Sequence, residues 1–185
     1  MKLGKCLLLC ALVFQLGLSL AKNPTDPATL PQEVATGLAS AQFSGTGKLT
    51  FFGLNVYDAS LWVSPGFKPN DFENHAFVLE SHYFRAFSAE NIAKRSLEEM
   101  QRIEKIPEPT AELWLTTLRD VLPDIKKGDR LIGVHKPGTG VSFWLNGKRS
   151  GEIRDVELSR QFFAIWLSPK TSEPKLRKAL LGNVN

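Results

Sequence analysis

Gly45-Thr46-Gly47-Lys48 has the residue types of a phosphate-binding loop. Such a loop needs a glycine five residues before Gly47, where Gln42 stands, and Ser or Thr after the lysine, where Leu49 stands. It should also open a helix, and the pattern that follows is that of a strand. The stretch therefore argues against nucleotide binding. His75, His82 and His135 are scattered, with no pair one helical turn apart. Glu80 and His82 could share one face of a strand, but two weak ligands do not make a zinc site, so a polar pair on a sheet surface is expected and no metal. No G-x-S-x-G elbow is present for serine catalysis. The paired carboxylates Glu98 and Glu99 are expected on the solvated outer face of a helix. Lys175, Arg177 and Lys178 read as a solvated helix face near a C-terminal dipole end, with weak attraction to anionic lipid as the alternative.

The aromatic residues are harder to assign to bland roles. Phe51, Phe52, Tyr57, Trp62, Phe77, Tyr83, Phe143, Phe162 and Trp166 fall on expected strands or on the helix that should oppose them. An ordinary core accounts for most of them. A layer of rings between sheet and helices could also line an apolar cleft with a few polar groups at its mouth.

The elements that must position these residues follow from periodicity. Residues 129–136 and 141–145 read as strands, and Asn146-Gly147 tolerates the positive φ of a type I′ turn, the strongest hairpin signal in the chain. Residues 148–153 return as a third strand. Asp155 then caps a helix whose Leu158, Phe162, Ile165 and Trp166 form one stripe, closed by Pro169. Upstream, residues 43–63 are the longest β-type stretch. Apolar residues occur there on both parities, which implies either that both faces are covered or that Gly53 marks a bulge. Residues 76–84 give another strand. Ser88 caps a helix with Ile92, Leu97, Met100 and Ile103 inside and Lys94, Arg95, Glu98 and Glu99 outside. Pro107 and Pro109 lead into a second helix that ends before Pro123. Ser172 is expected to cap a last short helix. Residues 33–43 could add short edge strands. Strands and helices are segregated, which argues α+β: an antiparallel sheet with helices on one face.

The N-terminal stretch has the form of a secretory signal: Lys2 and Lys5, an apolar run over 7–14, and Ser19-Leu20-Ala21 as a cleavage site. The expected division is 1–21 signal peptide and 22–185 one domain, with 22–32 a proline-bearing extended leader. Both cysteines, Cys6 and Cys10, leave with the signal, so the exported chain enters an oxidising compartment, the bacterial periplasm, with no disulfide. The formal charge falls from +4 to +2 with Lys2 and Lys5, and nothing points to nucleic acid. No integral membrane segment is expected after signal removal.

Gly45-Thr46-Gly47-Lys48, Val56-Tyr57-Asp58-Ala59-Ser60-Leu61, Ile92-Ala93-Lys94-Arg95-Ser96, Gly128-Asp129-Arg130, Asn146-Gly147 and Phe162-Phe163-Ala164-Ile165-Trp166-Leu167, in this order and spacing, resemble the bacterial branch of the chalcone isomerase-like family over residues 45–182. The resemblance implies an open-faced β-sandwich, a large antiparallel sheet with a layer of helices on one face. Plant members cyclise chalcones using an arginine, a threonine and a tyrosine; other members are non-catalytic, and some bind fatty acids. The arginine position falls on Leu49, beside Lys48, the threonine on Phe52 and the tyrosine on or near Asn91. Loss of one such electrostatic contact commonly costs roughly 10²–10³ in rate, so replacement of three implies a non-catalytic protein.

The resulting expectation is an exported monomer binding a small apolar or acyl ligand between sheet and helices, with Lys48, Asn55, Tyr57, Tyr83, Asn91 and Lys94 near the mouth and no cofactor. The alternatives are an isomerase or intramolecular lyase on an unknown substrate, and a ligand-free structural or chaperone-like envelope protein. Tyr57, Tyr83 and the histidines could serve as axial groups for a tetrapyrrole, though nothing in their spacing requires one. An arginine reaching into the cleft from elsewhere in the chain would favour catalysis.

Overall fold

The computed structural model describes Leu38 and residues 40–184; the expected signal and leader lie outside the described residues. Six strands form one antiparallel sheet in sequence order: β1 (Gln42–Phe51), β2 (Leu54–Val63), β3 (Phe77–Tyr83), β4 (Arg130–Lys136), β5 (Gly140–Leu145) and β6 (Lys148–Ile153). Among the described residues four α-helices accompany it: α1 (Ala89–Ile103) and α2 (Glu108–Val121) between β3 and β4, then α3 (Val156–Leu167) and α4 (Pro174–Leu180) after β6. A 3-10 turn, Pro69–Asn74, leads into β3.

Cross-strand pairing sets which side chains face the helices. Tyr57 lies opposite Tyr83, Ala59 opposite Ser81 and Leu61 opposite Leu79. Leu79 in turn faces Gly133, and Gly133 faces Phe143. With side chains alternating at period two, these residues form the inner face, buried with Phe162, Phe163 and Leu167 of α3 and Met100 of α1 in the main core. Burying each large apolar side chain is worth about 1.5–3 kcal/mol. The outer face carries a smaller cluster, Trp62, Val78, Ile132 and Val134, with Leu38 packed on it. Glu80 and His82 lie on that outer face. Glu80 accepts two bonds from the Arg130 guanidinium at 2.7 and 3.0 Å, so its polar partner is Arg130 on the neighbouring strand.

The sequence expectations hold for most elements. Ser88 caps α1, its Oγ accepting from the Asn91 N–H at 3.2 Å. Asp155 caps α3, its Oδ1 accepting from Glu157 and Leu158, while its Oδ2 accepts from Trp114 Nε1 at 3.1 Å. Two expectations are corrected. Residues 43–63 are not one stretch bent at a bulge but two full strands, because Phe52 (φ 47°) and Gly53 (φ 74°) make a tight turn. Ser172 does not cap α4, which starts at Pro174 after Glu173 with no side-chain cap.

The glycines of the would-be phosphate loop have a packing role. A Cβ at Gly45 would collide with the backbone carbonyls of Ala179 and Leu180, and one at Gly47 with the side chains of Leu176 and Ala179. Their bare backbones let α4 lie directly on β1.

Candidate functional site

Sheet and helices do not fill the space between them. A cavity of about 500 Å³ remains, within the range of small-molecule sites. Its floor is Leu49, Val56, Tyr57, Leu79, Tyr83 and Phe143, from strands β1, β2, β3 and β5. Its roof is Ile92 and Ser96 of α1, Phe162, Phe163 and Trp166 of α3, and Leu176 of α4. Gly133 keeps the floor low: a Cβ there would press on the Phe163 ring at 3.1 Å. Phe51 and Leu54, on either side of the Phe52-Gly53 turn, form one rim.

The polar groups are few and specific. Tyr57 and Tyr83 meet edge to face, ring centroids 5.3 Å apart. Trp166 Nε1–H donates to the Tyr57 hydroxyl at 2.9 Å, leaving that hydroxyl's own proton free to donate. The Tyr83 hydroxyl makes no hydrogen bond among the described residues. Burial pushes both phenols well above their ordinary range; for Tyr57 the neighbouring Tyr83 adds to this, and the Trp166 bond opposes it. Both therefore remain protonated donors at neutral pH and cannot serve as bases.

At another part of the wall, α1 brings in a charged cluster. Glu99 is 5% exposed. Its carboxylate pairs with Arg95 and with Arg102 Nε at 3.3 Å, and it accepts from Ser172 Oγ at 2.7 Å. A carboxylate this buried needs such partners: removing one from a buried pair commonly costs about 3–5 kcal/mol. The expectation that Glu99 is solvated is thus corrected. Its position was readable, since Ile92, Ser96, Glu99 and Ile103 recur at i, i+4, i+7 and i+11, one buried stripe. Ser172, expected as a cap, fastens the segment before α4 to α1 instead.

Of the six residues expected near the mouth, Tyr57, Tyr83 and Asn91 line the cavity. Lys48, Asn55 and Lys94 do not. Lys48 alternates with Leu49, so its side chain leaves by the opposite face, pairing with Asp58 at 3.4 Å and covering the Phe84 ring at 4.8 Å. Asn55 is exposed beside the turn. Lys94 is on the solvent side of α1 and pairs with Glu90 at 2.8 Å. Sequence reading missed Arg85, Arg95, Ser96, Glu99, Ser172 and Glu173, all on the cavity wall. His135 sits away from it, buried between Ser159 Oγ (3.2 Å) and the Glu73 carbonyl (3.0 Å). Among the described residues no cluster of three potential metal ligands occurs, and no helix is long and apolar enough to cross a membrane.

A single antiparallel sheet roofed by helices, with a ring-lined hollow between the layers, defines an open-faced sandwich with an internal cavity. The chain belongs to the chalcone isomerase-like family, whose model matches residues 24–182. A Haemophilus influenzae protein described as uncharacterized is 26% identical over 149 residues, covering 80% of this chain and 71% of that one. The crystal structure of a fatty-acid binding protein from Arabidopsis thaliana shares the fold, with a TM-score of 0.64 at 13% identity, over 85% of this chain and 91% of that one.

Proposed function

We propose that this protein is a non-catalytic carrier or receptor for a small apolar ligand, of which a fatty acyl chain is the best candidate. The observation that carries this reading is the cavity itself: about 500 Å³, walled mainly by aliphatic and aromatic side chains, with two protonated tyrosine donors inside. The likeness to a fatty-acid binding protein supports the acyl choice. An acyl tail fits the apolar walls, and an oxygen of its head can accept from the tyrosines. Isomerase chemistry gains one observation, the arrival of Arg85 and Arg95 at the wall. Arg95 is already engaged by Glu98 and Glu99, Arg85 is exposed to solvent, and the phenols are held protonated, so binding is the better-supported reading.

The N-terminal signal pattern supports export to the periplasm, where the protein would act as a monomer. The mass of the protein recovered from that compartment should match a chain beginning at Lys22.

The ligand test uses protein stripped of bound lipid and then offered a saturated fatty acid. Occupancy at 100 times Kd should add about 2.7 kcal/mol of stability, raising Tm by roughly 5–10 °C for a chain of this size. Ser81→Phe, which places a ring in the floor, should abolish the rise while leaving the unliganded Tm nearly unchanged. Absence of any shift in the unmodified protein would reject the acyl-binding reading. Turnover of a chalcone by the same preparation would replace it with the isomerase one.

A further inference from the structure

The tip of the β1–β2 hairpin exposes Phe52 at 89%, Phe51 at 57% and Leu54 at 49%. Other exposed large apolar residues, such as Leu113 and Val156, occur on separate helices, α2 and α3, as is ordinary for a protein surface. Here three fall within four consecutive residues around one turn, and the Phe51 and Phe52 rings meet edge to face with centroids 4.5 Å apart. Phe52 also holds a φ of 47°, a conformation suited to Gly or Asn. A ring is kept there against its backbone preference, yet it is almost wholly outside the protein.

We propose that this tip inserts into the surface of a lipid bilayer and that the cavity exchanges its ligand there. The ligand part rests on the acyl-binding reading above. Three observations favour a bilayer over a protein partner. Phe51 and Leu54 form both the exposed patch and the cavity rim, so an apolar surface runs unbroken from the tip into the hollow. The patch is small: three side chains offer at most about 500 Å², below the roughly 800 Å² per partner of a stable protein interface, yet sufficient to seat rings among lipid headgroups. The adjoining charge is basic. The Phe84 N–H bonds the Val56 carbonyl at 2.9 Å, which brings Arg85 alongside the hairpin, and Arg85 makes no ion pair among the described residues.

The test mixes the purified protein with phosphatidylcholine vesicles containing phosphatidylglycerol and measures co-sedimentation. Binding of cis-parinaric acid from solution is measured in parallel. Phe52→Asn should fold, since Asn suits the turn, and should weaken vesicle partition about tenfold, the worth of one buried ring. Parinaric acid affinity should stay within about twofold, because Phe52 is not among the cavity-lining residues. Equal partition of Phe52→Asn and unmodified protein, or no co-sedimentation of either, would overturn the proposal. So would a dimer in sedimentation velocity that Phe52→Asn dissolves, since it would make a second copy the occupant. Phe52-dependent vesicle binding without parinaric acid binding would keep the docking surface and remove the acyl reading.

Discussion

The tips at Phe52-Gly53 and Asn146-Gly147 share one backbone path, with φ of 47° and 74° in the first and 50° and 81° in the second. Their side chains are used in opposite ways. Asn146 is woven inward: its Oδ1 accepts from the Arg130 N–H at 2.9 Å and its Nδ2 donates to Asp129 Oδ1 at 2.9 Å. Asp129 Oδ2 in turn accepts from the Lys126 N–H at 2.7 Å. Phe52 contacts little besides Phe51. One turn is built to hold its hairpin, whereas the other presents rings to the outside. The same local geometry therefore says nothing about role; the hydrogen-bond partners do.

The largest effect that would sharpen this contrast comes from Asn146→Ala. It removes two hydrogen bonds and leaves a Cβ-bearing residue at positive φ, for a loss of about 2–3 kcal/mol in denaturant melts. A loss below 0.5 kcal/mol would erase the distinction. The next effect is on pH dependence. The Asn146 amide, followed by the Lys126 N–H, holds the Asp129 carboxyl below its usual range. Its stabilisation is thus complete above the unfolded value, about 3.9, and fades as pH falls through the lower folded value. Asp129→Asn should flatten that acid limb of the stability curve, and no substitution at Phe52 should alter it. The smallest effect is Phe52→Asn, expected to stabilise the fold by about 1 kcal/mol by relieving the backbone. Destabilisation would mean that the ring supports the hairpin after all.

Much of the architecture was legible because periodicity and caps agreed. Asn146-Gly147, Ser88 and Asp155 stand where the turn and two helix starts lie, and the alternation in residues 129–153 locates three strands. The Phe52-Gly53 turn was not legible, because an aromatic residue is a poor turn former at positive φ. Of the residues expected near the mouth, Tyr57, Tyr83 and Asn91 do line the cavity, the two tyrosines on its floor; Lys48 does not, because a one-residue step along a strand reverses its face. Glu99 was missed for a different reason. Its spacing put it on the buried stripe of α1, but its charge suggested solvent, and the partner that satisfies it there, Ser172, is 73 residues away.

The contact of α4 with β1 has a consequence for biogenesis. Ser44 Oγ donates to the Leu180 carbonyl at 2.7 Å, and the Asn183 N–H donates to the Ser44 carbonyl at 2.9 Å. Among the described residues, the first strand is thus sealed by the last helix. A chain emerging from the ribosome cannot complete this seam until residue 183 is free.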